Sequence, residues 1–225
     1  MSDLTLAELD RDGALLEPLA DLAGSSRAEF LSRTALGGTA LLAALVAPDD
    51  AAAQKSRKQD VAILNFALSL EYLQDSFYTE VERLGGFRGP LGRQARVVGA
   101  HERAHVIALR EVLGRRAVKR GRYDFRGATE GREAFRRTAV AFEDLAVAAY
   151  KGQAPRIANT AYLVAALGIH TVEARHAAWI RRLADRTPAE NAFDEPRSRK
   201  STLGVVASTK FVVQTRSRRS PRFTG

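Results

Sequence analysis

Cysteine is absent from the chain, which excludes disulfides and thiolate metal ligands. Any metal site must therefore be built from carboxylate and imidazole groups. Aromatic residues make up only 7% of the 225 residues, with a single tryptophan. Runs of Val, Ile and Tyr closed by Asn-Gly or Asp-Gly turns are missing from the middle of the chain, which argues against a strand-rich fold. No apolar run reaches the roughly 18–20 residues of a membrane-spanning helix. The longest, Ala35 to Ala47, has the length of a signal-peptide hydrophobic core. Acids are missing from Pro196 to Gly225, where eight Lys and Arg lie. The net charge of +9 thus belongs largely to this tail, and the rest is nearly neutral. A basic tail of this kind is ordinarily solvated and implies no specific nucleic-acid partner.

What is present is alanine, leucine and helical period. The chain is 45% hydrophobic, enough for one core of ordinary size. The reading is all-α: a four-helix bundle over residues 58–187, preceded by an N-terminal segment (1–57) and followed by a basic extension (188–225). Helix one is expected from about Asp60 to Leu84, stopped by Gly85-Gly86. Helix two runs from about Pro90 to Arg115, with proline at its start. Helix three runs from about Gly131 to Lys151 and stops at Gly152. Helix four runs from near Pro155 to about Asp185, before Thr187-Pro188. Short first and third connections make two antiparallel hairpins, and the longer polar segment Arg116–Glu130 suits a crossover between them. The apolar stretch after Leu203 has a β-branched character and is expected to pack on the bundle or on a partner.

A repeat carries the chemistry. Of the four histidines, His105 and His176 each follow a glutamate by three residues, Glu102 and Glu173. Upstream, Glu71 precedes Glu102 by 31 residues, and Glu143 precedes Glu173 by 30. Each lone glutamate is followed by leucine at the second position (Leu73, Leu145) and by tyrosine at the seventh (Tyr78, Tyr150). The chain reads as two copies of one hairpin: a helix with Glu, then a helix with Glu-x-x-His. Residues three or seven apart share a helix face, so these acids lie in apolar stripes. A buried carboxylate is costly unless paired or metal-bound. Four carboxylates and two imidazoles balance two divalent ions and offer the oxygen and nitrogen ligands that iron or manganese accepts.

These segments, NFALSLEYLQDSFY, AHERAHVIAL, FEDLAVAAYKGQAP and VEARHAAWIRRL, followed by AFDEPRS, resemble the ferritin-like di-metal carboxylate superfamily. More narrowly, they are similar to bacterial ferritin-like domain proteins related to plant desiccation-related proteins. The resemblance covers about residues 58–197. It implies a ferritin-like bundle with a di-iron or di-manganese centre on Glu71, Glu102, His105, Glu143, Glu173 and His176. It does not imply a storage shell. Residues 25–53 resemble a twin-arginine export signal ending at Ala51-Ala52-Ala53, except that Ala28 replaces the second arginine and the preceding residues are acidic. Export beyond the cytoplasm is the expectation; a cytoplasmic protein with an attached N-terminal segment is the alternative.

The functional expectation is redox chemistry at the two ions with oxygen, peroxide or ferrous iron, in stress protection, by a possible oxidoreductase that also forms homo-oligomers. Glu102 and Glu173 are the expected bridging ligands, and Glu71 and Glu143 the terminal ones. A non-enzymatic stress or desiccation protein with a stabilising metal is the alternative. His101-Glu102-Arg103-Ala104-His105 also matches the zinc-protease pattern H-E-x-x-H, but that reading leaves the second Glu-x-x-His and both lone glutamates unexplained. His101 is then a neighbour of the ligands or a surface residue. His170 is either a partner of a ligand carboxylate or a core residue, and Tyr78 and Tyr150 are read as core filler.

Overall fold

The computed structural model describes residues 50–213, with side chains from residue 56 onward. Most of the twin-arginine-like segment and the end of the basic extension lie outside the described residues. Ala51-Ala52-Ala53 falls in the first turn of a helix. The elements are α1 (Asp50–Arg83), α2 (Gly89–Leu113), α3 (Arg132–Gln153), α4 (Thr160–Leu183) and α5 (Arg199–Thr209). Among the described residues there is no strand, only one isolated bridge between Tyr123 and Val212, and no helix is long and apolar enough to cross a membrane.

Two hairpins form the bundle, α1 with α2 and α3 with α4. The first turn between helices is made by Gly85 and Gly86, both at positive φ. There the Gly86 N–H donates to the Val81 carbonyl at 2.8 Å, closing the helix end with a residue that left-handed backbone favours. The second hairpin is pinned from across the bundle. Buried Asp60 of α1 accepts from the backbone N–H groups of Ala158 and Asn159, each at 2.9 Å, and Asn159 then caps α4 by accepting from Tyr162 N–H. A short 3-10 turn, Ala154–Arg156, holds Pro155, so α4 begins later than the proline suggested.

The crossover between hairpins is fastened along α1. Asn65 donates to the Arg116 carbonyl and accepts from Val118 N–H. Arg120 pairs with Asp75 and lies over the Tyr72 ring. Phe125 and Ala128 enter the core. As a result α1 is covered nearly all round: from Ile63 to Val81 only Thr79 is exposed.

The stretch after Leu203 packs on the bundle, as expected: it lies up to Thr209 within α5, which Ser198 caps by accepting from Ser201 N–H, and which seats Val206 in the core. Local helix formation, with an N-cap serine, outweighs β-branched propensity here. Gly152 stands in the last turn of α3, one residue before its end at Gln153, and a Cβ there would fall 2.0 Å from the Arg197 carbonyl oxygen. The glycine allows the segment before α5 to cross the helix closely, held by Arg197 N–H donating to the Ala148 carbonyl at 2.8 Å.

Candidate metal centre

All four helices of the bundle contribute one acid each to its middle. Glu71 comes from α1, Glu102 from α2, Glu143 from α3 and Glu173 from α4, and every one has 0% exposure. His105 and His176 stand one turn beyond Glu102 and Glu173 on the same faces and are buried too. The structure thus brings together all six residues singled out by the repeat.

They form two overlapping groups. Glu71, Glu102, His105 and Glu173 have ligand atoms within 4.8 Å of one another, and so do Glu102, Glu143, Glu173 and His176. Glu102 and Glu173 belong to both, and the oxygens divide between the halves. Glu102 Oε2 lies 3.8 Å from His105 Nδ1, while its Oε1 lies 3.2 Å from His176 Nδ1. Glu173 Oε1 lies 3.0 Å from His105 Nδ1 and its Oε2 3.6 Å from His176 Nδ1. Glu71 Oε2 completes the first half at 3.3 Å from His105, and Glu143 Oε2 the second at 3.5 Å from His176.

Apart from His105 Nδ1 and Glu71 Oε2, which hydrogen-bond at 3.3 Å, these contacts are close without being aligned as hydrogen bonds. All four oxygens of Glu102 and Glu173, and Nδ1 of His176, are buried with no hydrogen-bond partner among the described residues. Buried polar atoms in native proteins are normally satisfied, so the orphaned oxygens of Glu102 and Glu173, facing the carboxylates of the other two helices, fit a bound cation. The donor set contains no sulfur, and four carboxylates match the charge of two divalent ions. The buried acid and imidazole cluster is therefore compatible with a two-metal site.

Electrostatics point the same way. Burial, with the charges of Glu173 and Glu71, pushes the Glu102 carboxyl well up. Burial also raises Glu143, to about 7, against the pull of His176. For Glu173 burial is outweighed by the two imidazoles, which lower it to about 2. Burial opposes charge on His105 and His176, yet the surrounding carboxylates raise both to about 12. Without a metal the excess of carboxylates is opposed by holding the imidazoles toward their protonated forms and Glu102 toward its neutral form.

The tyrosines are not filler, and that expectation is corrected. Tyr78 of the first hairpin donates to Glu143 Oε1 of the second at 2.5 Å. Tyr150 of the second donates to Glu71 Oε1 of the first at 2.6 Å. Burial, reinforced by the adjacent carboxylates, pushes both phenols well above their usual range and keeps them neutral donors. Gln74 adds a bond to Glu143 Oε2 at 3.3 Å. Such partners orient ligands and tune their basicity. Tyr78→Phe should weaken metal binding in the Glu143 half, and Tyr150→Phe in the Glu71 half, each by about 10- to 100-fold. Metal titrations that gave one affinity for both variants and the wild type would remove the tyrosines from the site.

His101 belongs to neither ligand group. Its Nδ1 lies 2.9 Å from His176 Nε2 and the two rings stack at 5.2 Å. The H-E-x-x-H pattern is thus split in space: His101 contacts the histidine of α4, while His105 faces the glutamates. Burial and the neighbouring imidazoles of His176 and His105 lower the pKa of His101, which suits an acceptor for the His176 Nε2–H. His170 is half-buried, lies in the field of Asp194 and Lys151, and joins neither group. The tyrosines had a signal in the sequence, the matched seven-residue spacing from each glutamate. The His101 contact, across 75 residues, had none.

A family model described as a ferritin-like domain matches residues 59–186. No curated protein matches the chain.

Proposed function

The chain belongs to the ferritin-like domain family, and on that premise we propose that the six residues hold a dinuclear iron or manganese centre that carries out redox chemistry in stress protection. The observation that supports this best is the division of oxygens: each of Glu102 and Glu173 offers one oxygen to the His105 half and the other to the His176 half. Glu102 and Glu173 would be shared by the two ions, with Glu71 and His105 holding one and Glu143 and His176 the other.

When bound, such a pair supplies two adjacent redox-active centres able to exchange electrons with oxygen, peroxide or ferrous iron. The protein's part is positioning and proton control. Helices from both hairpins fix the ligands, so the centre also ties the hairpins together. Tyr78 and Tyr150, crossing between hairpins, hold one oxygen of each terminal carboxylate and leave the other facing the histidines. With metal bound, His101 Nδ1, 2.9 Å from His176 Nε2, would accept the Nε2–H and leave the His176 Nδ1 lone pair for an ion. The full burial of the four acids keeps water away and strengthens every charge interaction within.

Anaerobic loading with ferrous iron followed by rapid mixing with oxygen or peroxide tests the redox reading. The loaded protein is expected to oxidise iron faster than free ferrous iron does in the same buffer. An oxidation rate equal to that of free iron contradicts redox chemistry and leaves a metal that only stabilises the bundle.

A further inference from the structure

The two halves of the cluster differ in what lies behind their histidines. Behind His176 the His101 ring stacks and hydrogen-bonds. Behind His105 a cavity of about 330 Å³ opens between α2 and α4. Its walls are apolar. Leu64, Leu109 and Ile169 are buried and form its floor, while Ala108 and Gly168 are exposed and stand at its mouth. His105 is the wall residue that links the cavity to the cluster, because its Nδ1 edge faces Glu71 and Glu173. No Asp, Glu, Lys or Arg lines the cavity.

Gly168 is the telling position. It lies within α4, where glycine costs about 1 kcal/mol of helix stability relative to alanine. Packing does not demand it, since a Cβ there would meet nothing within 4 Å. At Gly92, Gly99 and Gly152, by contrast, a Cβ would fall within 3.0 Å of another atom. The effect of lacking a side chain at 168 is to leave the cavity mouth open. The same stretches of α2 and α4 carry Ile107, Val164 and Leu167, large apolar side chains left exposed.

We propose that this cavity binds a small, uncharged apolar molecule beside His105, and that Gly168 and Ala108 keep its mouth open. The volume lies at the lower end of small-molecule sites, and mostly apolar walls with a few polar groups, here His105 and Tyr162, are their usual make-up. A docked helix or a second chain would need a longer groove. The inference rests on the proposed metal centre for its purpose: it assigns apolar substrates or effectors to the His105 half. Its test does not depend on the metal.

Toluene serves as the probe, with binding followed by ligand-observed NMR on the full chain, both metal-free and loaded. Wild type is expected to bind saturably in both forms. Gly168→Phe, from the α4 side, and Ala108→Phe, from the α2 side, should each weaken binding by at least about tenfold. Gly204→Phe makes the same change on α5, again where a Cβ meets nothing, and should leave binding unchanged. Non-saturable binding to wild type, or equal binding to all four proteins, overturns the inference. So does light scattering that shows a dimer split by Val164→Lys or Leu167→Lys with no toluene bound, because this face would then be an interface between copies. Two ions per chain without toluene binding would remove this inference and leave the metal centre standing; toluene binding without metal uptake would do the reverse.

Discussion

Glu102→Gln should strip both metal ions from the protein while leaving the metal-free fold as stable as wild type. Glu102 is fully buried, and its two oxygens face different histidines. Removing its charge therefore damages both metal positions at once. Partners outside the ligand set already cost about 10- to 100-fold in affinity when lost, so a shared ligand should cost more than about a hundredfold at each position. The metal-free protein is affected differently. Burial, Glu173 and Glu71 push Glu102 up and so favour its neutral form, which glutamine matches in size. Its stability should change by less than about 1 kcal/mol. Glu71→Gln is the comparison, because Glu71 belongs only to the His105 half. That variant should keep an ion in the His176 half. Metal analysis and thermal melts of both variants check this. If Glu102→Gln retains one ion as Glu71→Gln does, the shared-ligand assignment is wrong.

Chelating the metal should lower the melting temperature by about 20 °C at neutral pH. Each site held at a thousandfold excess over its dissociation constant stabilises the folded state by about 4 kcal/mol, so two contribute about 8. In a domain of this size about 1 kcal/mol shifts the midpoint by about 2–4 °C. The gap should widen as pH rises. In the metal-free protein His105 and His176 are raised to about 12. Their contribution is full below the ordinary imidazole value of about 6.5 and is lost as pH climbs from there toward 12. Glu143, raised to about 7, loses its contribution between the ordinary carboxylate range and 7. Glu173, lowered to about 2, acts in the opposite sense: its contribution is present above about 4.5 and disappears as pH falls toward 2. The cluster therefore stabilises the metal-free protein most within the ordinary carboxylate range and progressively less as pH rises above it. Loading must expel the imidazole protons, so metal affinity rises with pH. Melts with and without chelator across pH 5–9 check both trends. A gap that is constant with pH would mean that protons and metal do not compete for the same atoms.

The four helices and their pairing were legible because hydrophobic period and short loops are local signals. Gly85-Gly86 marked the end of α1 for the reason the structure shows, a left-handed helix end. The six cluster residues were legible because the site is built twice from one hairpin pattern, so the spacing repeats. What the sequence concealed is contact between segments distant along the chain. Tyr78 and Tyr150 each bond to the glutamate of the opposite hairpin, across 65 and 79 residues, and no helical spacing encodes that crossing. Gly152 marked the end of α3 to within a residue, but its close approach to Arg197 was hidden, because a glycine needed for close approach looks the same in sequence as one needed for a turn. The burial of α1 on nearly all sides depends on the crossover and α5 folding over it, with Arg199 over the Phe66 ring. A reading limited to one helix at a time sees only the core-facing stripe. The segment after Leu203 shows how weak β propensity is against a capped local helix packed on an existing core.

The pairing of oxygens also bears on why so polar a centre is tolerated in the core. Burying one unpaired carboxylate is costly, and burying four would ordinarily prevent folding. Protonated imidazoles, with Glu102 pushed toward its neutral form, give the metal-free chain a way to fold first. Metal can then replace protons in a cluster whose geometry the helices and tyrosines already set.

The most direct measurement is the number of ions bound per chain after the full-length protein is reconstituted with ferrous iron or manganese and freed of excess metal. The account predicts two ions per chain, falling toward zero in Glu102→Gln and toward one in Glu71→Gln. One ion or none in the wild type, or two that persist in Glu102→Gln, would contradict it.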